Sequence, residues 1–247
     1  MPREPHTRLK SLLLAAALAC TGLSPAVAAT THPDFTGVWT WYVEPGQSPF
    51  ARGPQPALPF LPDAKAKVDQ YNALMAPNLD GPSGHCLGAG MPGSMLSSGG
   101  YPMEIVQRPE QITVVYEAHA EIRRIYLAGR EIAEGDRVPD RNGYSFGHWE
   151  GDTLVVETTS LKEQVDQRYA HSDQARVIER YHLAKDPKGG KMLIADMTMT
   201  DPGFYTQPVT TQKKWAVVPN GHLLPYECNE PAWLDYVEQL KAKAATK

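Results

Sequence analysis

Over most of the chain the apolar residues recur every second position, in short runs separated by turn formers. Such runs cover Met103–Arg108, Gln111–Ala118, Glu121–Leu127, Tyr144–Glu150 and Thr153–Thr159. They continue through Ala175–Leu183, Met192–Thr200, Val209–Val218 and His222–Tyr226. Pro109-Glu110, Ala128-Gly129, Gly151-Asp152, Lys188-Gly189-Gly190 and Pro219-Asn220-Gly221 lie between or beside them. A period of two places alternate side chains on opposite faces of a strand, so the pattern predicts an all-β sandwich or barrel. The clearest hairpin is Gly143–Ser160, where Gly and Asp tolerate the positive φ of a tight turn. Its ascending strand puts Tyr144, Phe146, His148 and Glu150 on one face. The return strand puts Val155 and Glu157 on one face and Leu154, Val156 and Thr158 on the other.

The pattern differs at the two ends of the chain. Asp34–Trp41 is a first strand containing Gly37-Val38-Trp39. Prolines at 45, 49, 54, 56, 59 and 62 make Glu44–Pro62 an extended arm, able to lie over a barrel mouth. Asp63 is placed to cap a helix from Ala64 to about Ala76, with Val68, Tyr71, Leu74 and Met75 facing the sheet. Pro77–Tyr101 is a long Gly/Pro/Ser-rich loop, a length usually reserved for functional or disordered segments. Pro231–Lys243 is an amphipathic helix carrying Trp233, Tyr236, Val237 and Leu240.

Charged residues inside the strands point to an interior site. Arg123-Arg124 and Glu179-Arg180 are adjacent pairs within strands, so one member of each pair must point inward. An inward charge is costly unless paired, and the simplest arrangement is an interior holding Arg–carboxylate pairs with one or two histidines. His148, His171, Arg124 and Glu179 are the candidates for acid–base chemistry, the histidines as proton carriers and an Arg holding an oxyanion. Glu104, Tyr116, His119, Arg123, Tyr144, Glu157 and Arg180 are candidates for lining a ligand site. Gly-x-Ser-x-Gly, His-Glu-x-x-His, P-loop, Rossmann and Cys-x-x-Cys patterns are all missing from the sequence. A metal centre of His119, His148 and His171 has no support from spacing. No cofactor is called for, and the chemistry expected is a lyase, isomerase or hydrolase reaction.

Charge and cysteine content narrow the setting. The formal charge is −4 without a Lys/Arg cluster, which argues against nucleic acid as a partner. Arg3, Arg8 and Lys10, the apolar run Ser11–Ala19 and Ala26-Val27-Ala28 form a secretory leader over residues 1–28. Cleavage there makes Ala29 the mature N-terminus and leaves about 220 residues, enough for one all-β domain over 29–247. The alternative is a lipoprotein acylated at Cys20. Of three cysteines, Cys86 and Cys228 remain after the leader; an even count in an oxidising compartment reads as one disulfide. No later apolar run is long enough to cross a bilayer as a helix.

Gly37-Val38-Trp39, followed by a meander, is similar to the entry strand of lipocalin-like (calycin) barrels. A wider resemblance rests on Pro102-Met103-Glu104-Ile105-Val106-Gln107, Arg123-Arg124-Ile125-Tyr126-Leu127 with Gly129-Arg130, and Gly147–Val156. These strings resemble a large family of secreted bacterial proteins. The resemblance supports an exported, β-rich protein and supplies no catalytic residue; together with the reading of the residues above, the expected fold is a lipocalin-like antiparallel β-barrel with an N-terminal helix/loop arm and a C-terminal helix. An NTF2-like α+β cone remains open as an alternative. The expected function is periplasmic or secreted binding of a small, partly apolar or aromatic molecule with acid–base turnover. The alternatives are a non-enzymatic carrier of a hydrophobic ligand and a structural envelope protein.

Overall fold

A computed structural model describes residues 32–46, 57–75, 82–96, 100–166 and 169–245. The leader, Cys20, Ala29 and the arm prolines at 49, 54 and 56 lie outside the described residues. Among the described residues nine strands follow one another around a closed barrel. They are β1 (Gly37–Trp41), β2 (Met103–Gln107), β3 (Gln111–Tyr116), β4 (Ile122–Tyr126) and β5 (Tyr144–Glu150). The others are β6 (Thr153–Thr159), β7 (Arg176–Lys185), β8 (Lys191–Thr200) and β9 (Val209–Val217). The all-β barrel expected from the period-two pattern is the fold.

Closure explains two departures from that pattern. Strands β9 and β1 pair antiparallel, Trp39 opposite Val217 and Trp41 opposite Trp215, so the wall offers no free edge. His222–Tyr226, expected as another strand, has nothing to pair with and runs irregularly, Leu224 N–H donating to the Glu117 carboxylate at 2.7 Å. The second departure follows from parity. An odd number of strands cannot alternate in direction all the way around a ring, so one neighbouring pair must run parallel. That pair is β4 and β5, with Ile125 opposite Ser145, and the connection 127–143 returns along the barrel to make it. The other eight pairings are antiparallel.

Strand direction sorts the connections. One end of the barrel is closed by the short turns 108–110, 151–152, 186–190 and 218–221; Gly151 takes φ +59° in the second of these, as a tight hairpin requires. Trp39, fully buried, donates its indole N–H to Phe35 O at 2.8 Å, and Phe35 packs on Trp149 there. The opposite end receives the turn 117–121, the connections 160–175 and 201–208, and the segment leading into β2.

The helices sit around this wall. Helix α1 is Pro62–Met75. It begins two residues earlier than expected, because proline needs no amide partner in a first turn; Asp63 then lies inside that turn and not at the cap. Its buried positions are Ala64 and Val68, while Leu74, expected against the barrel, is 66% exposed. The segment Pro77–Tyr101, read as an irregular loop, contains a 3-10 turn at Pro82–His85 and one helical turn, α2 (Gly93–Leu96). Helix α3 spans Asn229–Ala245; the side chains of Trp233, Tyr236 and Leu240 lie outside the described ones.

Candidate functional site

Inside the barrel the inward face of each strand can be read from burial and register. On β4 it is Arg123 and Ile125; on β7 it is Val177, Glu179 and Tyr181. Arg123 and Glu179 are therefore the inward members of their adjacent pairs, and Arg124 and Arg180 point to solvent. Arg123 and Glu179 form a two-pronged ion pair, NH1 to Oε1 at 3.1 Å and NH2 to Oε2, with side chains 1% and 0% exposed. Arg123 Nε donates to Ser145 Oγ at 3.1 Å and NH2 also donates to Thr158 Oγ1 at 2.9 Å. Tyr181 donates its hydroxyl to Glu179 Oε1 at 2.6 Å.

The electrostatics of this cluster favour the charged form of Arg123. Burial, the largest single effect, works against the Arg123 charge, but Glu179, Tyr181 and Tyr116 together outweigh it and raise the guanidinium pKa above its already high ordinary value. Burial, reinforced by Glu179, raises the Tyr181 phenol well above its usual range. Burial likewise raises Tyr116, whose hydroxyl donates to Met95 Sδ at 2.7 Å. Each nitrogen of the guanidinium already has protein partners, so the cluster holds the barrel interior together and keeps no N–H in reserve for a substrate oxyanion.

Several of the expected site residues lie on the outside. His148 and Glu150 are exposed on β5, and Glu150 accepts from Arg180 NH2 at 2.7 Å and lies 3.3 Å from His148 Nε2. The hydrogen bond from Arg180, with a smaller contribution from His148, holds the Glu150 carboxyl below its ordinary pKa. Glu157 pairs outside with Arg176 at 2.6 Å, and Arg124 is exposed. His148, Arg124, Glu157 and Arg180 thus do not share a site with Glu179. The reason is the two-residue alternation itself: in GYSFGHWE the inward positions are Ser145, Gly147 and Trp149, and Gly147 is the small residue over which Ile125, Leu127 and Leu154 close. Glu104 is half-buried between inward Met103 and Ile105, hence on the outer face.

Tyr144 and His119 hold connections in place. The Tyr144 hydroxyl accepts from Ile132 N–H at 2.8 Å, and its ring packs against Tyr126 and under Arg137, tying 127–143 to the barrel exterior. His119, at φ +61°, lies 3.0 Å from Ser83 Oγ through Nε2 and packs on Tyr226. Both contacts are next to the Cys86–Cys228 disulfide, whose Cα atoms are 5.5 Å apart. The bridge read from the cysteine count is present.

The remaining feature is a cavity at the end that carries the long connections. Its empty volume is about 390 Å³, open mouth included. The barrel contributes Val177, Met197, Met199, Val209 and Thr211; the cover contributes Leu58, Pro92, Leu96, Tyr169 and Tyr205. It adjoins the ion pair, since Val177 precedes Glu179 on the inward face of β7 and Met197 is opposite Glu179 on β8. Polar contacts fix the cover. Glu121 accepts from Gly90 N–H, Ser94 Oγ and Asn142 Nδ2, and Arg141 donates twice to Gly88 O, at 3.0 and 2.8 Å. Tyr205 donates to Ala170 O at 2.6 Å, and Ser172 donates both N–H and Oγ–H to the buried Asp201.

His171 belongs to this cover. It is fully buried, its Nδ1 lies 2.7 Å from Tyr169 O, and its Nε2 has no hydrogen-bond partner among the described residues. A carbonyl only accepts, so Nδ1 carries a proton and Nε2 of the neutral ring is an acceptor. Gln164, paired with His171 across an antiparallel bridge, also has an unpartnered buried Oε1. Sequence reasoning missed Lys213. It is 8% exposed on the inward face of β9, donates Nζ to Leu96 O at 3.1 Å, and stands 3.7 Å over the Trp41 ring. Burial lowers its pKa to about 8. The signal was available, because Lys213-Lys214 is a third adjacent charged pair within a strand. Among the described residues no group of three or more His, Cys, Asp or Glu is arranged to hold a metal ion. Compared with known protein families and with curated proteins, the chain matches none.

Proposed function

We propose that the protein is an exported carrier of a small apolar molecule, held in the cavity at the connection-bearing end of the barrel. The observation that carries this reading is the cavity's lining: Met197, Met199 and Val177 on the wall face Leu96 and Tyr205 on the cover. Apolar concave sites of this kind are the usual seats of small ligands, and paired methionines adapt to irregular shapes. Export is supported by the leader-like N-terminal sequence and by the disulfide, which suits an oxidising compartment.

A catalytic version has one observation in its favour, the unpartnered Nε2 of His171, two residues along the chain from the cavity-lining Tyr169. That atom is the proton acceptor to test. His148 and Arg124 lie outside, and the Arg123–Glu179 pair is saturated, so carriage has the stronger support. The test is native mass spectrometry of the protein isolated from the compartment to which it is exported, followed by release under denaturing conditions. Carriage predicts a retained or exchangeable apolar compound, unchanged after incubation. A compound that is converted, with conversion lost in His171→Gln, selects the catalytic version. Failure to take up any apolar compound would leave only a structural role in the envelope.

A further inference from the structure

The cavity wall and Lys213 together specify more than an apolar ligand, a refinement that rests on the carrier function proposed for the cavity. On β9, inward-facing Thr211 lines the cavity and Lys213 is the next inward residue, about 7 Å further along the strand. The Lys213 ammonium is bonded to the carbonyl of Leu96, whose side chain lines the same cavity. Opposite Lys213 on β8 is Ala195, a small residue that leaves room beside the lysine stem. An ammonium has three N–H donors. The partners found for this one are a single backbone carbonyl and the Trp41 ring, and no carboxylate is paired with it among the described residues. Arg123, by contrast, is fully matched by Glu179 and hydroxyls a few residues away in the same interior. A buried, under-partnered cation next to an apolar cavity lacks an anion.

We propose that the cavity takes an amphipathic carboxylate, with its apolar chain or ring among Met197, Met199 and Val177 and its carboxylate on Lys213 Nζ. The acid binds as the anion and no covalent bond is made. A phenol or an alcohol of the same size fills the apolar part and leaves the ammonium as it is, so the site distinguishes acids from neutral analogues.

Isothermal titration with n-octanoate and n-octanol tests this on the full-length mature protein. Octanoate should bind about ten- to hundredfold tighter than octanol, the range of one charge-assisted hydrogen bond. Lys213→Met should abolish that preference while keeping octanol affinity, and Lys213→Arg should keep part of it. Because Lys213 has no carboxylate partner among the described residues, Lys213→Met strands no opposite charge, and retained octanol binding certifies the variant. Equal affinities in the wild-type protein overturn the carboxylate assignment but leave the apolar carrier standing. Binding of neither compound overturns both.

Discussion

Arg123 and Glu179 stand 56 residues apart in the chain and meet inside the barrel as a buried, two-pronged ion pair. Removing one partner strands the other charge in a dry interior. Arg123→Met or Glu179→Leu alone should cost about 3–5 kcal/mol in denaturant unfolding. The double variant should recover most of that loss, because both desolvation penalties disappear together. Single losses under about 1 kcal/mol would mean that the interior is wetter than this geometry implies.

Lys213 makes stability depend on pH in a definite direction. Its folded-state pKa is lowered to about 8 from 10.5, so between those values the unfolded chain binds more protons than the folded one. Stability from this residue is therefore lowest below pH 8 and is regained as pH rises from 8 towards 10.5. Lys213→Met should be more stable than wild type at pH 7 by up to roughly 3 kcal/mol. The gap should shrink by pH 10. Thermal unfolding of both proteins at pH 7, 8, 9 and 10 measures it; a constant gap would remove the buried-charge explanation. Burial raises the phenols of Tyr116, Tyr181 and Tyr205, which act on both proteins alike and drop out of the difference.

The exterior group offers the opposite prediction. Glu150, His148 and Arg180 form an exposed cluster whose ends are half in solvent. Arg180→Ala should let the Glu150 carboxyl rise towards its ordinary pKa, because its largest stabilising contact is that hydrogen bond. Carboxyl titration by NMR reads the shift. Ligand affinity should not change in Arg180→Ala or His148→Ala; a loss of affinity in either would return the site to the outer face.

Much of the fold was legible because alternation and turn residues are local signals. Eight of the strand runs were marked by them, and the adjacent pairs at 123–124 and 179–180 correctly demanded one inward charge each. What alternation cannot supply is phase. Tyr144, His148 and Glu150 share a face, but whether that face is inside depends on closure, and closure chose Ser145, Gly147 and Trp149. The strand expected at His222–Tyr226 failed for the same reason, since β1 had already taken the pairing edge of β9. The cavity was not legible, because its walls come from seven separate stretches of chain, from Leu58 to Thr211.

The Cys86–Cys228 bridge ties the segment before β2 to the chain after β9, beside His119 and Tyr226. In the chain-entropy model, closing so long a loop stabilises the fold by roughly 4–5 kcal/mol, often less in practice. Reduction should speed hydrogen exchange of the 82–96 segment before it affects the β7–β8 ladder, which depends on no contact with the bridge. Non-reducing thiol labelling of the unfolded protein should find neither of these cysteines reactive. Two reactive thiols from this pair would show that the cover needs another anchor.

The carrier account is tested most directly by watching the cavity wall itself. Methyl-labelled methionine gives an NMR signal for Met197 and Met199 inside the cavity and for Met192 on the outer face of β8. Titration with n-octanol should shift Met197 and Met199 saturably and leave Met192 in place, and Val177→Trp, which fills the cavity, should abolish both shifts. Unmoved Met197 and Met199 signals at saturating octanol, or equal movement at Met192, would contradict the account.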